Sequence, residues 1–169
     1  MEEKDQITVI VEDLCEYALD REDVKWVADA TPDSEDFNLN KLEYELHLLK
    51  IVSVGWSISY YLQDDASRDA VIEPFWKNIH DVSGDLSHAT SLLIGADINY
   101  FEILRSRLDS YVKAMSMEKG DNPATVIGPC FAEFCGNSQN LIASMAGSKI
   151  FMAAVSGVKN YLNAAGYKI

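Results

Sequence analysis

Residues 51–61, "IVSVGWSISYY", satisfy two incompatible patterns, and the one that prevails sets the fold class. Val52, Val54, Trp56, Ile58 and Tyr60 alternate with Ser53, Gly55, Ser57 and Ser59, the period-two pattern of a strand. A strand needs neighbours, because an unpaired one leaves its backbone donors and acceptors unanswered. Only "ITVIV" at 7–11 has comparable β character. Wound as a helix over 40–62, the same stretch gathers Glu43, His47, Lys50 and Ser57 onto one narrow polar strip. Most of the remainder is apolar or small, with Glu45 the main exception. The segment is therefore expected to be a central, mostly buried helix whose Ser and Gly residues permit close packing.

Helical periodicity dominates elsewhere. Over 5–19, Ile7, Ile10, Val11, Leu14, Tyr17 and Ala18 form one stripe, and a short helix at 22–29 carries Trp26. "TPDSEDFN" at 31–38 reads as a loop. A helix over 67–93, with Ser67 as cap and Pro74 kinking it or marking its start, buries Ile72, Phe75, Trp76, Ile79, Leu86 and Leu93. "GAD" at 95–97 makes a tight connection, with Asp97 capping a helix over 98–118. That helix's stripe is Phe101, Leu104, Leu108, Tyr111, Val112 and Met115. "EKGDNPA" at 118–124 is a break, with Asn122 as cap and Pro123 at the first helical position of 123–135. The last helix, 138–165, has a polar strip of Lys149, Ser156, Lys159, Asn160 and Asn163 and stops at Gly166.

These elements predict an all-α fold, a largely antiparallel bundle of five or six main helices forming one domain over 1–169. An acidic helical segment, 1–38, is expected to pack on a bundle formed by 39–169. The most apolar stretch, 141–158, is interrupted by Lys149 and filled with small residues, so a buried helix is expected rather than a membrane span.

The formal net charge of −13 argues against nucleic acid and anionic membrane as partners, since both reward basic side chains. The charge is uneven: residues 1–48 hold 15 acids against 4 bases, a net of −11. Such a run is most simply a solvated face; as a docking surface it would steer a basic protein partner. The N-terminus "MEEKDQ" lacks the basic and apolar regions of a secretory leader. Three sparse cysteines, Cys15, Cys130 and Cys135, also point to a reducing, cytoplasmic setting.

The chemistry-bearing side chains form no recognisable catalytic set. Asp81, Asp85 and His88 share a face of 67–93, but that face lies opposite the buried stripe, with His80 about a quarter turn from the stripe's centre. A solvated face is expected there, and no metal or other cofactor. His47 and His80 lie on successive helices with nothing to orient them toward a haem. A helix starting at Pro129 would place Cys130 in its first turn, where the dipole favours a thiolate; otherwise both later cysteines act as small buried hydrophobes. Arg105 lies about 70° from the centre of its apolar stripe, just inside the buried half. If covered, it needs a carboxylate such as Glu73 or Glu133, or an anionic ligand.

With no Ser/His/Asp arrangement and no phosphate-cradling loop, an enzyme is not expected. The leading expectation is a non-catalytic interaction or regulatory protein, docking through its acidic third and self-associating through the small-residue face of 138–165. The alternative is a small-ligand-binding bundle, its pocket lined by Trp56, Tyr60, Tyr61 and Trp76 with Arg105 as anion partner.

Overall fold

The computed structural model describes residues 3–117 and 122–169, with the side chains of residues 3 and 4 excepted. Within them lie seven helices and no strand: α1 (Glu3–Leu19), α2 (Glu22–Asp29), α3 (Leu39–Tyr61), α4 (Arg68–Ile94), α5 (Tyr100–Met117), α6 (Ala124–Cys135) and α7 (Leu141–Ala164). The strand-like 51–61 segment is wholly helical, and α3 packs against all six other helices. Burial on nearly every side as far as Ile58 explains the alternation: where no face meets water, the pattern of serines and aliphatics carries no face information. Nearly every residue from Leu42 to Ile58 is buried, including Glu45, His47, Lys50, Ser53 and Ser57. The Ser53 and Ser57 hydroxyls donate to the carbonyls one turn back, Leu49 and Ser53, at 2.6 Å each.

Local signals explain most helix ends. Asn38 caps α3 by accepting from the Lys41 amide at 2.8 Å, and Asn140 caps α7 by accepting from Ala143 at 3.0 Å. Asn122 does the same for the Ala124 amide, and left-handed Gly95 and Gly136 (φ +74° and +126°) close α4 and α6. Pro74 lies inside α4, which begins at Arg68, so it does not mark the helix start. Asp97 is not the cap of α5: Asn99 accepts from the Glu102 amide, and Ser91 and Ser87 of α4 take the Ile98 and Tyr100 amides. Of the break at 118–124, residues 118–121 lie outside the described residues.

Two close approaches shape the bundle around α3. The six-membered ring of Trp76 of α4 packs against Gly55, where any Cβ would overlap it. Gly147 of α7 takes the Phe131 ring of α6 in the same way, at 2.6 Å from where a Cβ would stand. α3 and α7 run side by side in the same direction. Asp36, just before α3, meets Asn140 at the start of α7, and Trp56 packs on Phe151 further along. The small-residue face of α7 (Ala143, Ala146, Gly147, Ala154) is consumed inside the molecule against α3 and α6, so it is not a surface for self-association. By length and composition α7 is apolar enough to cross a membrane, with a mean hydropathy of 1.5 over its most apolar window, of which 39% is buried.

Candidate functional site

Beside the partly buried Arg21–Glu43 pair at 2.6 Å, the buried acidic and basic side chains of the described core are Glu45, Lys50 and His47. Glu45 is completely buried and receives Arg107 of α5 in bidentate fashion, Nη2 to Oε1 at 2.7 Å and Nε to Oε2 at 3.0 Å. The guanidinium lies 3.9 Å over the Phe134 ring. Lys50, also buried, donates to the Asp23 carboxylate at 2.8 Å and the Asp20 carbonyl at 2.7 Å, with its ammonium above Tyr17. The Nδ1 atom of His47 lies 3.2 Å from the Tyr100 hydroxyl, and Nε2 makes no hydrogen bond among the described residues. Burial, with the positive charges of Arg21 and Lys50, pushes His47 down to about 3. The ring is therefore neutral beside Tyr100, whose own hydroxyl burial holds well above the usual phenol range. A cavity of about 30 Å³ beside them, lined by Arg21, Glu43, His47 and Tyr100, is the size of one or two waters. The Glu45–Arg107 and Lys50–Asp23 pairs and the His47–Tyr100 contact tie α3 to α2 and α5.

Arg105 takes no part. It is exposed and forms no ion pair with the described residues, neither Glu73 nor Glu133 included. The buried stripe of α5 is centred on Tyr100, Leu104 and Tyr111, which places Arg105 about 120° away and Arg107 about 40° away. Arg107 was the residue to find, two positions on. Its signal was the fully buried position of Glu45 on α3, which demanded a cation from a neighbouring helix.

The aromatic candidates separate. Trp56 and Tyr60 stack at 4.9 Å, Tyr61 meets Tyr60 edge-on at 5.2 Å, and Lys159 of α7 stands 5.9 Å from the Tyr61 ring. Trp56, Tyr60 and Tyr61, together with Phe151, Met152 and the start of α6, line an open groove of about 230 Å³. Trp76 lines none of it; it packs over Gly55 and against Phe75. The envisaged pocket of Trp56, Tyr60, Trp76 and Arg105 is therefore not one site.

On α4, Asp81 is engaged by Lys77 at 2.9 Å, which lowers its carboxyl below the usual range, and His80 packs edge-on to Phe101. Asp85 and His88 are exposed. No group of three or more metal-ligating side chains occurs among the described residues. Cys130 lies in the middle of α6 rather than in its first turn, and burial raises its thiol to about 11; Cys135 is raised to about 12 by the same cause. Neither carries an activated thiolate.

The outer side of α7 completes the inventory. Leu141, Met145 and Met152 are 76%, 62% and 56% exposed, and Tyr60 beside the groove is 50% exposed. Leu141, Met145, Ser148, Met152 and Ser156 fall within about 80° of one another around the helix, so the exposed apolar side chains share one stripe running into the groove. Compared with protein-family models, curated proteins and solved structures, the chain matches none of them.

Proposed function

We propose that the chain is a non-catalytic interaction protein that docks through the outer stripe of α7 and the adjoining aromatic groove. The observation that carries this reading is the exposure of Leu141, Met145 and Met152 in line with the Trp56–Tyr60 stack. Scattered apolar residues on a surface need no explanation, but an aligned set joined to stacked aromatics has the composition of an interface core. The exposed carboxylates of the N-terminal third, Asp33 and Glu35 among them, supply long-range steering for a basic partner. The small-ligand reading is weaker, because the groove is open and its intended anion partner, Arg105, lies elsewhere.

The test compares partners captured by the wild type, by Met152→Asp and by Asp33→Asn/Glu35→Gln, each checked for unchanged helicity. A defined partner lost with either substitution supports the reading. An identical partner set for all three proteins refutes it.

A further inference from the structure

We propose that the last three turns of α4, residues 85–94, are a lid hinged at Ser83–Gly84. The lid opens as a unit and exposes the polar chamber of Arg21, Glu43, His47 and Tyr100 to solvent. This is independent of the docking face on α7.

Burial along α4 changes abruptly at the hinge. Val71, Ile72, Phe75, Ile79 and Ser83 are buried, and no residue of the helix after Ser83 is. Leu86, Thr90 and Ile94 are covered only in part, and Leu92 and Leu93 are exposed. Little apolar burial holds these turns down, the condition under which one element opens while the rest of the fold stays intact. Ten residues released from the core are too few to stay helical alone, so opening and unwinding coincide.

The hinge has a backbone cause. The Ser83 hydroxyl donates to the His80 carbonyl at 2.6 Å, the same carbonyl that the Gly84 amide addresses in an α-helix. Sharing one acceptor weakens the ladder at that turn, and Ser–Gly pairs are among the few places where long helices bend. Packing does not call for the glycine, since a Cβ at position 84 would meet no atom within 4 Å outside its own stretch of helix. What glycine supplies there is a low cost of leaving the helical conformation.

A latch closes the lid. The Ser87 hydroxyl accepts from the Tyr100 amide at 2.9 Å, and the Tyr100 hydroxyl lies 3.2 Å from His47 Nδ1. The Ser91 hydroxyl accepts from the Ile98 amide at 3.0 Å, binding the 95–99 turn to the lid. Leu86, Thr90, Leu93 and Ile94 are the lid's contribution to the cavity of about 30 Å³, whose polar lining comes from Arg21, Glu43, His47 and Tyr100. Arg21 Nε and His47 Nε2, both buried, make no hydrogen bond among the described residues. Solvation of such a lining favours the open state, and the latch opposes it.

Amide hydrogen exchange of the full chain, followed residue by residue by NMR, tests this. The amides of 88–94 should share one level of protection, at least about tenfold below that of 72–79. The Tyr100 amide, on another helix but held by Ser87, should exchange at the lid's level. Gly84→Ala should raise protection across 88–94 about fivefold, because leaving the helix at residue 84 is part of the opening. Ser87→Ala should lower it about threefold by removing the latch. Fraying from the end of α4 would instead give protection that falls steadily toward Ile94 and ignores Gly84→Ala, and that result overturns the proposal. Equal protection along the whole of α4 also overturns it, since the helix would then open only with the fold.

Discussion

Glu45 has no accessible surface, and the two oxygens of its carboxylate are answered by one guanidinium. Removing Arg107 leaves the buried charge with no hydrogen-bonded cation, only the Lys41 ammonium 3.9 Å away, whereas removing both charges need not destabilise at all. Arg107→Ala is therefore expected to cost about 3–5 kcal/mol, and Glu45→Leu/Arg107→Met much less, measured by urea unfolding. If the double variant is the worse of the two, the pair is not acting as a closed unit. His47 makes a second prediction, this one about pH. Its ring is held neutral in the fold, down to about 3, by burial and by Arg21 and Lys50; unfolded, it titrates near 6.5. Below that value the unfolded chain binds a proton that the fold excludes. This contribution to stability is therefore complete above about pH 6.5 and is lost as pH falls toward 3, by at most about 1.4 kcal/mol per pH unit. His47→Leu should flatten the difference in stability between pH 6.5 and pH 4 relative to wild type, whatever it does at neutral pH. Parallel curves would show that the ring does not titrate in this window.

Among the elements, α3 bears the strictest steric demand because it touches every other helix. At Gly55 a methyl group enters the space of the Trp76 ring, and both partners are fixed by helices that cannot easily part. Gly55→Ala is expected to lower stability by about 1–3 kcal/mol, although alanine is the better helix former, and Trp76→Leu should recover part of that loss in the double variant. A neutral Gly55→Ala would mean that α4 yields at this crossing. The α2–α3 loop makes an equally local demand. The Asp36 carboxylate accepts from Asn137 at 3.2 Å and from Asn140 at 2.7 Å, tying the loop to the cap of α7. Asp36→Ala should cost about 1 kcal/mol in urea unfolding, while Asp33→Asn and Glu35→Gln, both exposed, should stay within about 0.5. Equal effects at all three sites would show that Asp36 is only another surface acid.

For the molecule as a whole, the imbalance of charge and the exposed stripe of α7 are the features that packing does not account for. The surface of α1, α2 and the following loop is acidic, and the final helix is acid-free. Helix class, the Asn122 cap, the Gly95, Gly136 and Gly166 stops and most core stripes were legible in the chain. They depend on near neighbours and on a 3.6-residue period, and both are local properties. The sequence likewise determined that 51–61 could not be a lone strand, because backbone satisfaction is a rule that needs no coordinates. What it left undetermined was every pairing between helices. Whether Arg105 or Arg107 is buried turns on a rotation of α5 by less than one residue's step. That rotation is set by how Tyr100 and Tyr111 pack, not by the α5 sequence alone. The sequence offered the small-residue face of 138–165 for a partner, with no sign that Leu141, Met145 and Met152 would be the exposed apolar side chains instead. Tertiary structure assigned the first to α3 and α6, whose rings and backbone reach it closely, and left the second exposed, because the described helices that pack on α7 meet its other sides.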